Sequence, residues 1–448
     1  MAHLAHDPNA RPDERTTAQL GAVLSKTAEV KNDHLFVGGV DLAELAREQG
    51  TALYVMDVAQ ITQQLRAYKA AFGPDNRVAF AGKAFLNKAM VRLLAGEGCY
   101  LDVSGGGELA IARSAGFDTA HIIVHGNNKT EIELAEAIEA TAGLIVADCF
   151  EELERISRLA TERGVTQSIL LRIKPGVVAD THEFIRTGAE DSKFGFGLSD
   201  GMAQTAVKMA LQLPGIRLKG LHVHIGSQIF AIAPYAEAVA VLADFCTLLQ
   251  SEYDFTPEVL DLGGGLGIAY QASDEPTAIK ELGALITTAV AEAFASAELP
   301  LPQLIVEPGR SIVATAGITL YTVGAVKELK GIRCYVAVDG GMTDNIRTAL
   351  YDAKYEAVIA NKAGCKRDAL VTIVGKHCES GDVVAIDASI QTPQPGDIVA
   401  VLGTGAYNAT MSSNYNAQVR PAVVFVEDGT ATVVQRRETY ADLMARDI

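Results

Sequence analysis

Between residues 78 and 307, short apolar runs alternate with stretches in which apolar residues return every three or four positions. The runs Val78–Ala81, Cys99–Asp102, Ile122–His125, Leu144–Asp148, Ile169–Lys174, Gly220–His224, Val259–Leu262 and Leu304–Glu307 predict eight strands. Tyr235, Val239, Leu242, Cys246 and Leu249 fall on one helical face behind Pro234, a favoured first-turn residue. Thr130 and Glu133 have the spacing of a capping box and open another helix. Eight strand–helix units over roughly 240 residues match a (β/α)8 barrel, with an open doubly wound sheet as the alternative. Polar residues favour the barrel. Lys83, Asp102, His125, Asp148, Arg172, His224, Gly263-Gly264-Gly265 and Glu307 all stand at or near C-terminal strand ends, which a barrel brings to one mouth.

Beyond about residue 316 the pattern changes. Ile318–Val323, Cys334–Val338, Leu370–Val374, Val383–Ile386, Ile398–Leu402, Val423–Val426 and Thr432–Gln435 are separated by turns, with few helical patterns between them. This predicts a C-terminal antiparallel β domain, sandwich- or Greek-key-like, over 316–448. Short strands at Leu35-Phe36-Val37 and Leu53–Met56 precede the barrel and are expected to pair with that sheet. The expected organisation is a loose tail over 1–30, N-terminal strands over 31–57 and a barrel over 58–315. The polar connection His182–Phe196 after strand five is a candidate lid.

Composition narrows the function. A chain of 448 residues is long enough for two domains, and 49% hydrophobic with 21% charged residues is ordinary for a globular protein. A net charge of −17 argues against a nucleic-acid partner, though a site can still gather positive groups for a small anion. No uninterrupted apolar stretch reaches the ~18 residues of a membrane span, and no secretory leader is visible. The six cysteines are scattered, without metal-type Cys/His spacing. They suit a reducing cytoplasmic setting and suggest no metal site.

The strand ends carry the chemistry. Lys83, partly buried at a barrel mouth, can bind an aldehyde covalently; alone, such a lysine is more often solvated or ion-paired. The glycines 263–265 after strand seven and Gly309-Arg310 after strand eight lie where barrels hold phosphate through backbone N–H groups. Ser227 can add a hydroxyl. A carboxylate at Glu307 can keep a pyridine nitrogen protonated, and the His224 ring can stack on a flat cofactor, unless it is simply a hydrogen-bonded core histidine. Together these residues suggest pyridoxal 5′-phosphate. Cys378 stands next to Glu379, and a thiol beside a carboxylate tends to stay protonated, which suits a proton donor.

With these motifs in view, the chain resembles the diaminopimelate decarboxylases among the barrel-type (fold-type III) pyridoxal-phosphate decarboxylases. The resemblance rests on Gly82-Lys83-Ala84, His222-Val223-His224-Ile225-Gly226-Ser227-Gln228, Leu262-Gly263-Gly264-Gly265, Glu307-Pro308-Gly309-Arg310, Cys378-Glu379-Ser380-Gly381-Asp382 and Gly405-Ala406-Tyr407. It departs at Phe85, where many relatives have Asn, and at Gly403-Thr404, where many carry an acidic residue. It implies a lyase that decarboxylates meso-2,6-diaminopimelate at its D-centre to L-lysine and CO2, the last step of lysine biosynthesis. On the same resemblance Lys83, His224 and Cys378 are catalytic. Lys83, His224, Ser227, Gly263, Gly264, Gly265, Glu307, Gly309, Arg310 and Tyr407 bind the cofactor, and Arg310, Arg347, Tyr351, Glu379 and Tyr407 bind the substrate. It further implies a head-to-tail homodimer in which the Cys378 segment reaches the neighbouring subunit's site. Alternatives are a decarboxylase of ornithine, arginine or carboxynorspermidine, or a catalytically silent pyridoxal-phosphate-binding protein.

Overall fold

The computed structural model describes residues 7, 10–177 and 192–448. The segment 182–191 of the candidate lid lies outside the described residues. The chain divides into two compact units. One comprises Gln64–Gly267 and Pro276–Ser311; the other comprises the chain up to Gln63 with Ile268–Glu275 and Ile312–Ile448.

The first unit is a closed eight-stranded parallel barrel. Its strands are Arg77–Ala81, Tyr100–Val103, Ile122–Val124, Leu144–Ala147, Gln167–Lys174, Ile216–His222, Val259–Asp261 and Gln303–Val306. Each pairs in parallel with the next, and the last pairs with the first. Every run expected to be a strand is one. Small and branched side chains (Ala79, Ile123, Leu144, Val146, Leu170, Val259, Ile305) form a buried cluster among the strands. Side chains of this kind fill barrel interiors in layers.

The sixth strand differs most from expectation. It starts earlier, at Ile216, and its register shifts between Leu218 and Gly220, where a Cβ on Gly220 would overlap the Val259 carbonyl. Its ladder ends at His222, so His224 lies two residues beyond the strand, in the loop. The helices follow the pattern read from the sequence. Thr130 and Glu133 close a capping box on Glu131–Glu139. Ala233–Tyr253 carries Pro234 in its first turn and buries Tyr235, Val239, Leu242, Cys246 and Leu249.

The second unit is built on a branched nine-stranded sheet. Gly317–Leu329 is its long central strand. The first part pairs with Ile398–Leu402 and with Leu53–Asp57, and the part after Val323 pairs with Arg333–Val338 across a register shift at Gly324. The sheet is largely antiparallel, as expected, with two parallel pairs. Leu53–Asp57 runs parallel to Ala422–Glu427, and Arg333–Val338 runs parallel to Ala369–Val374. Leu53–Asp57 enters from a distant part of the chain, and the connection from Val338 to Ala369 is long, so neither pair is constrained by a hairpin.

Two further expectations change. His34–Val37 does not join the large sheet; it pairs with Glu29–Lys31 and Val40–Asp41 in a three-stranded sheet of its own. Within the segment expected to be a loose tail, Thr17–Val23 forms a 3-10 helix that buries Leu20 and Val23 in the unit's main core, alongside Leu35, Leu53, Ile318 and Val424. Each such side chain contributes about 1.5–3 kcal/mol when buried, enough to anchor a short segment. Among the described residues, no helix is long and apolar enough to cross a membrane.

Candidate active site

The barrel unit gathers its predicted residues through a chain of close contacts at the C-terminal strand ends. Lys83 lies in the 3-10 turn Gly82–Ala84 directly after the first strand. Gly309 packs beside this turn, and a Cβ on it would come within 2.9 Å of the Ala81 side chain and 3.0 Å of that of Ala84. Next in sequence, Arg310 Nη2 donates to Ser227 Oγ at 3.1 Å. The Ser227 loop carries His224, whose Nδ1 accepts the Gly264 N–H at 3.2 Å.

The three glycines are required for packing. A Cβ on Gly263 would come within 2.7 Å of His224 Nδ1, one on Gly264 would overlap the Glu307 carbonyl, and one on Gly265 would come within 2.7 Å of the Tyr235 hydroxyl. Gly263 and Gly265 also have φ of +64° and +122°, conformations that glycine adopts readily. Tyr235 braces the loop by donating to the Gly264 carbonyl at 2.9 Å.

This packing alters the expected phosphate donors. The N–H of Gly263 is committed to Asp261 at 2.9 Å, and that of Gly264 to His224. Those two glycines therefore shape the loop, and their N–H groups are taken. The N–H groups of Gly265 and Gly309 make no hydrogen bond with another described residue, so each of the two loops keeps one backbone donor for an anion.

Glu307 follows the eighth strand and lies at the centre of a buried polar cluster that the sequence did not suggest. His125 Nε2 donates to its Oε1 at 2.5 Å and His222 Nε2 to its Oε2 at 3.3 Å. A carboxylate only accepts, so both rings donate here. The two imidazoles meet edge to face, with centroids 4.8 Å apart. Burial raises the Glu307 carboxyl, but His125 and His222, whose ring N–H groups donate to it, outweigh that and hold Glu307 ionised, well below the usual range. The same burial, with Glu307 as neighbour, pushes Asp261 well above the carboxylate range, and burial lowers His222 to about 3. The donor atoms of His125, His222, Asp261 and Glu307 lie within 4.8 Å of one another. Glu307 takes an N–H from each histidine, while His222 Nδ1 and Asp261 Oδ2 are buried without a hydrogen-bond partner among the described residues.

His224 is kept neutral by burial and by the positive charges of Lys83 and Arg172. The charge of Lys83 also acts on Asp102 and Glu108, which places the lysine among the groups of this mouth. Arg172 stacks over Phe194, 4.2 Å from the ring centroid. A lysine at the barrel mouth, a buried carboxylate anion, a neutral imidazole and two unused loop N–H groups form a donor set that fits pyridoxal phosphate.

The remaining predicted residues belong to the sheet unit. Arg347 starts the short helix Arg347–Tyr351, and its guanidinium lies 5.3–6.0 Å from the ring centroids of Tyr270, Tyr351, Tyr355 and Tyr407. Its Nη1 donates to Tyr270 Oη at 3.0 Å and to Tyr355 Oη at 2.7 Å. Arg347 is only 7% exposed and forms no ion pair with any described carboxylate. Tyr407 has φ of +64°, a conformation that costs a non-glycine residue about 1–3 kcal/mol and is often kept at functional positions.

Cys378 and Glu379 are not drawn into the Arg347 cluster. Both lie in an exposed loop, where the Cys378 N–H donates to Asn416 at 3.2 Å and the Gly381 N–H to Glu379 at 3.2 Å. The loop is braced by two residues of the same motif to which the sequence assigned no role: Asp382 accepts from the His377 backbone and meets its ring Nδ1, each at 2.8 Å. Also unforeseen were His125 and His222 as partners of Glu307, and Tyr270 and Tyr355 as partners of Arg347. The histidine of His222-x-His224 that ends a strand, and a second tyrosine four residues after Tyr351, were the available signals.

Comparison with known proteins gives a consistent result. Residues 58–314 match the family model described as pyridoxal-dependent decarboxylase, pyridoxal binding domain. The diaminopimelate decarboxylase of Bacillus subtilis is 48% identical over 93% of this chain and 96% of its own. That of Mycobacterium tuberculosis is 42% identical over 100% of this chain and 99% of its own. The crystal structure of diaminopimelate decarboxylase from M. jannaschii in complex with L-lysine superposes with a TM-score of 0.89 at 38% identity, covering 95% of this chain and 98% of that one.

Proposed function

Because the chain belongs to the diaminopimelate decarboxylases of the pyridoxal-dependent decarboxylase family, we propose that it decarboxylates meso-2,6-diaminopimelate at its D-centre, releasing L-lysine and CO2. It is a pyridoxal-phosphate-dependent carboxy-lyase of lysine biosynthesis. Bound pyridoxal phosphate supplies an aldehyde that captures the substrate amine and a protonated ring that accepts the electron pair left by departing CO2.

The protein supplies position and charge. Lys83 would bind the aldehyde and supply the amine that exchanges with substrate and product. Neutral His224 would stack on the ring, and ionised Glu307 would keep the pyridine nitrogen protonated. Ser227, Gly265, Gly309 and Arg310 hold the phosphate, with Gly263 and Gly264 shaping that loop and Tyr407 completing the cofactor contacts. Arg310, Arg347, Tyr351, Glu379 and Tyr407 bind the substrate, Glu379 taking the distal ammonium. Cys378 returns a proton to the carbon that lost CO2.

The observation that supports the diacid substrate is Arg347, a buried cation with no carboxylate partner among the described residues. A substrate with a carboxylate far from the reacting carbon completes it; ornithine and arginine, with no second carboxylate, do not. A silent binding protein has no need to keep Lys83, His224, Glu307, Cys378 and Tyr407 together. The test is CO2 release and L-lysine formation from meso-diaminopimelate, with ornithine and arginine as controls. Faster turnover of either control would overturn the assignment.

Exposed Cys378 and Glu379 belong, on this reading, to the site of a second copy in a head-to-tail homodimer. Lys83→Ala and Cys378→Ala, each severely impaired alone, should then regain up to about a quarter of wild-type activity when mixed and allowed to exchange subunits. No recovery in a mixture shown to exchange would sink the shared site. All six cysteines are free, which supports a cytoplasmic location.

A further inference from the structure

The Arg347 guanidinium has five N–H donors in a fixed plane, and the protein occupies a defined subset of them. Both Nη1 protons are taken, one by Tyr270 Oη at 3.0 Å and one by Tyr355 Oη at 2.7 Å. Nε and Nη2 donate to no described residue. The two acceptor tyrosines are themselves buried, 8% and 5% exposed, and their rings pack edge to face with centroids 5.4 Å apart and an interplanar angle of 84°. Tyr351 and Tyr407, the other two rings near the guanidinium, are half-exposed.

We propose that Tyr270 and Tyr355 are the positioning residues that set substrate choice: by taking both protons of Nη1 they fix the plane of the guanidinium and leave its Nε–Nη2 edge for a substrate carboxylate. The proposal rests on the reading of Arg347 as the carboxylate-binding residue and adds the device that aims it. Two parallel hydrogen bonds from that edge match the two oxygens of a carboxylate. Hydroxyl oxygens suit this task better than carboxylates. They fix the cation without neutralising it, so its charge remains for the ligand. Selectivity then has a penalty side as well as an attractive one. A diamine without the carboxylate leaves a buried cation uncompensated among aromatic rings, the kind of mismatch that discriminates strongly between ligands.

The test uses Tyr270→Phe and Tyr355→Phe in the holoenzyme, which keep the rings and remove only the acceptor oxygens. Each should raise KM for meso-diaminopimelate by about tenfold while kcat changes less than about twofold. Two competing ligands supply the readout that a merely structural role would leave unmoved. L-lysine carries a carboxylate and 1,5-diaminopentane does not, so inhibition by L-lysine should weaken in step with KM while inhibition by 1,5-diaminopentane stays constant. Equal weakening of both ligands, or of neither, would overturn the proposal. Arg347→Met separates this failure from failure of the underlying reading. If Arg347→Met keeps the preference for L-lysine over 1,5-diaminopentane, Arg347 is not the carboxylate residue. If it abolishes the preference but the Phe variants do not, only the role of the tyrosines falls.

Discussion

Glu307 in the barrel and Arg347 in the sheet unit are both buried charges, yet the protein treats them in opposite ways. Glu307 is supplied with its partners: two imidazole N–H groups, one on each oxygen. Arg347 receives only neutral hydroxyls and ring faces. An isolated buried charge costs several kcal/mol, so the difference has a physical reading. On the proposed assignment, the carboxylate is preorganised for a cofactor that stays through every turnover and must be in the right ionisation state before substrate arrives. On the same assignment, the cation is left for the substrate's own carboxylate to complete, and a molecule lacking that group is rejected.

The largest effect that can break this comparison is on turnover. Glu307→Gln removes the anion with little change of shape, and kcat should fall about 10²–10³-fold, the scale of losing one preorganised electrostatic contact. Pyridoxal phosphate should remain bound, as seen in its visible absorbance. Near-wild-type kcat would mean that the charge on Glu307 does not matter.

Arg347→Met should divide binding from stability. KM for meso-diaminopimelate should rise by about 10² or more. Without substrate, the thermal midpoint should stay level or rise, because an uncompensated buried cation has been replaced by an apolar chain of similar length. A large fall in stability would show that the tyrosines already compensate the charge.

The smallest effects are on stability against pH, and they have opposite signs in the two units. His222 has a folded pKa of about 3 because of burial, against an ordinary value near 6.5. Below about pH 6.5 the unfolded chain therefore binds a proton that the folded chain refuses, and stability is lost as pH falls toward 3. In the sheet unit, burial raises Asp344 to about 6 despite the Gly341 N–H it accepts. Its contribution is fully present below about pH 4 and is lost as pH rises through 6. Asp344→Asn should thus stabilise the protein by about 1–3 kcal/mol at pH 8 and by little at pH 4, and His222→Gln should lessen the loss on acidification. Denaturant unfolding at pH 4.5, 6 and 8 would check both, and parallel curves for wild type and variants would contradict both.

How much of this was legible depended on range. The barrel strands were readable because alternation and helical periodicity are properties of neighbouring residues, and Thr130 with Glu133 specifies its own helix start. The end of the sixth strand was misplaced because it depends on where its neighbour stops: its last pair is His222 with Asp261, the last residue of the seventh strand. The antiparallel character of the second sheet was legible, but the parallel pairing of Leu53–Asp57 with Ala422–Glu427 was not, because it joins segments from opposite ends of the chain. For the glycines 263–265, position gave the loop, but which N–H groups stay available was decided by Asp261 and His224.

The sequence by itself determined which chemistry is present: a lysine after the first strand, glycines and an arginine after the seventh and eighth, Glu307 between them, and the Cys378-Glu379 pair far along the chain. Only the tertiary structure decided what state those groups are in. Glu307 is held by histidines 182 and 85 residues away in sequence, and Arg347 by a tyrosine 77 residues before it. The reason is physical. Local periodicity sets where a side chain is placed, whereas its ionisation and free donors depend on desolvation and on partners that only the folded chain brings within 3 Å or so.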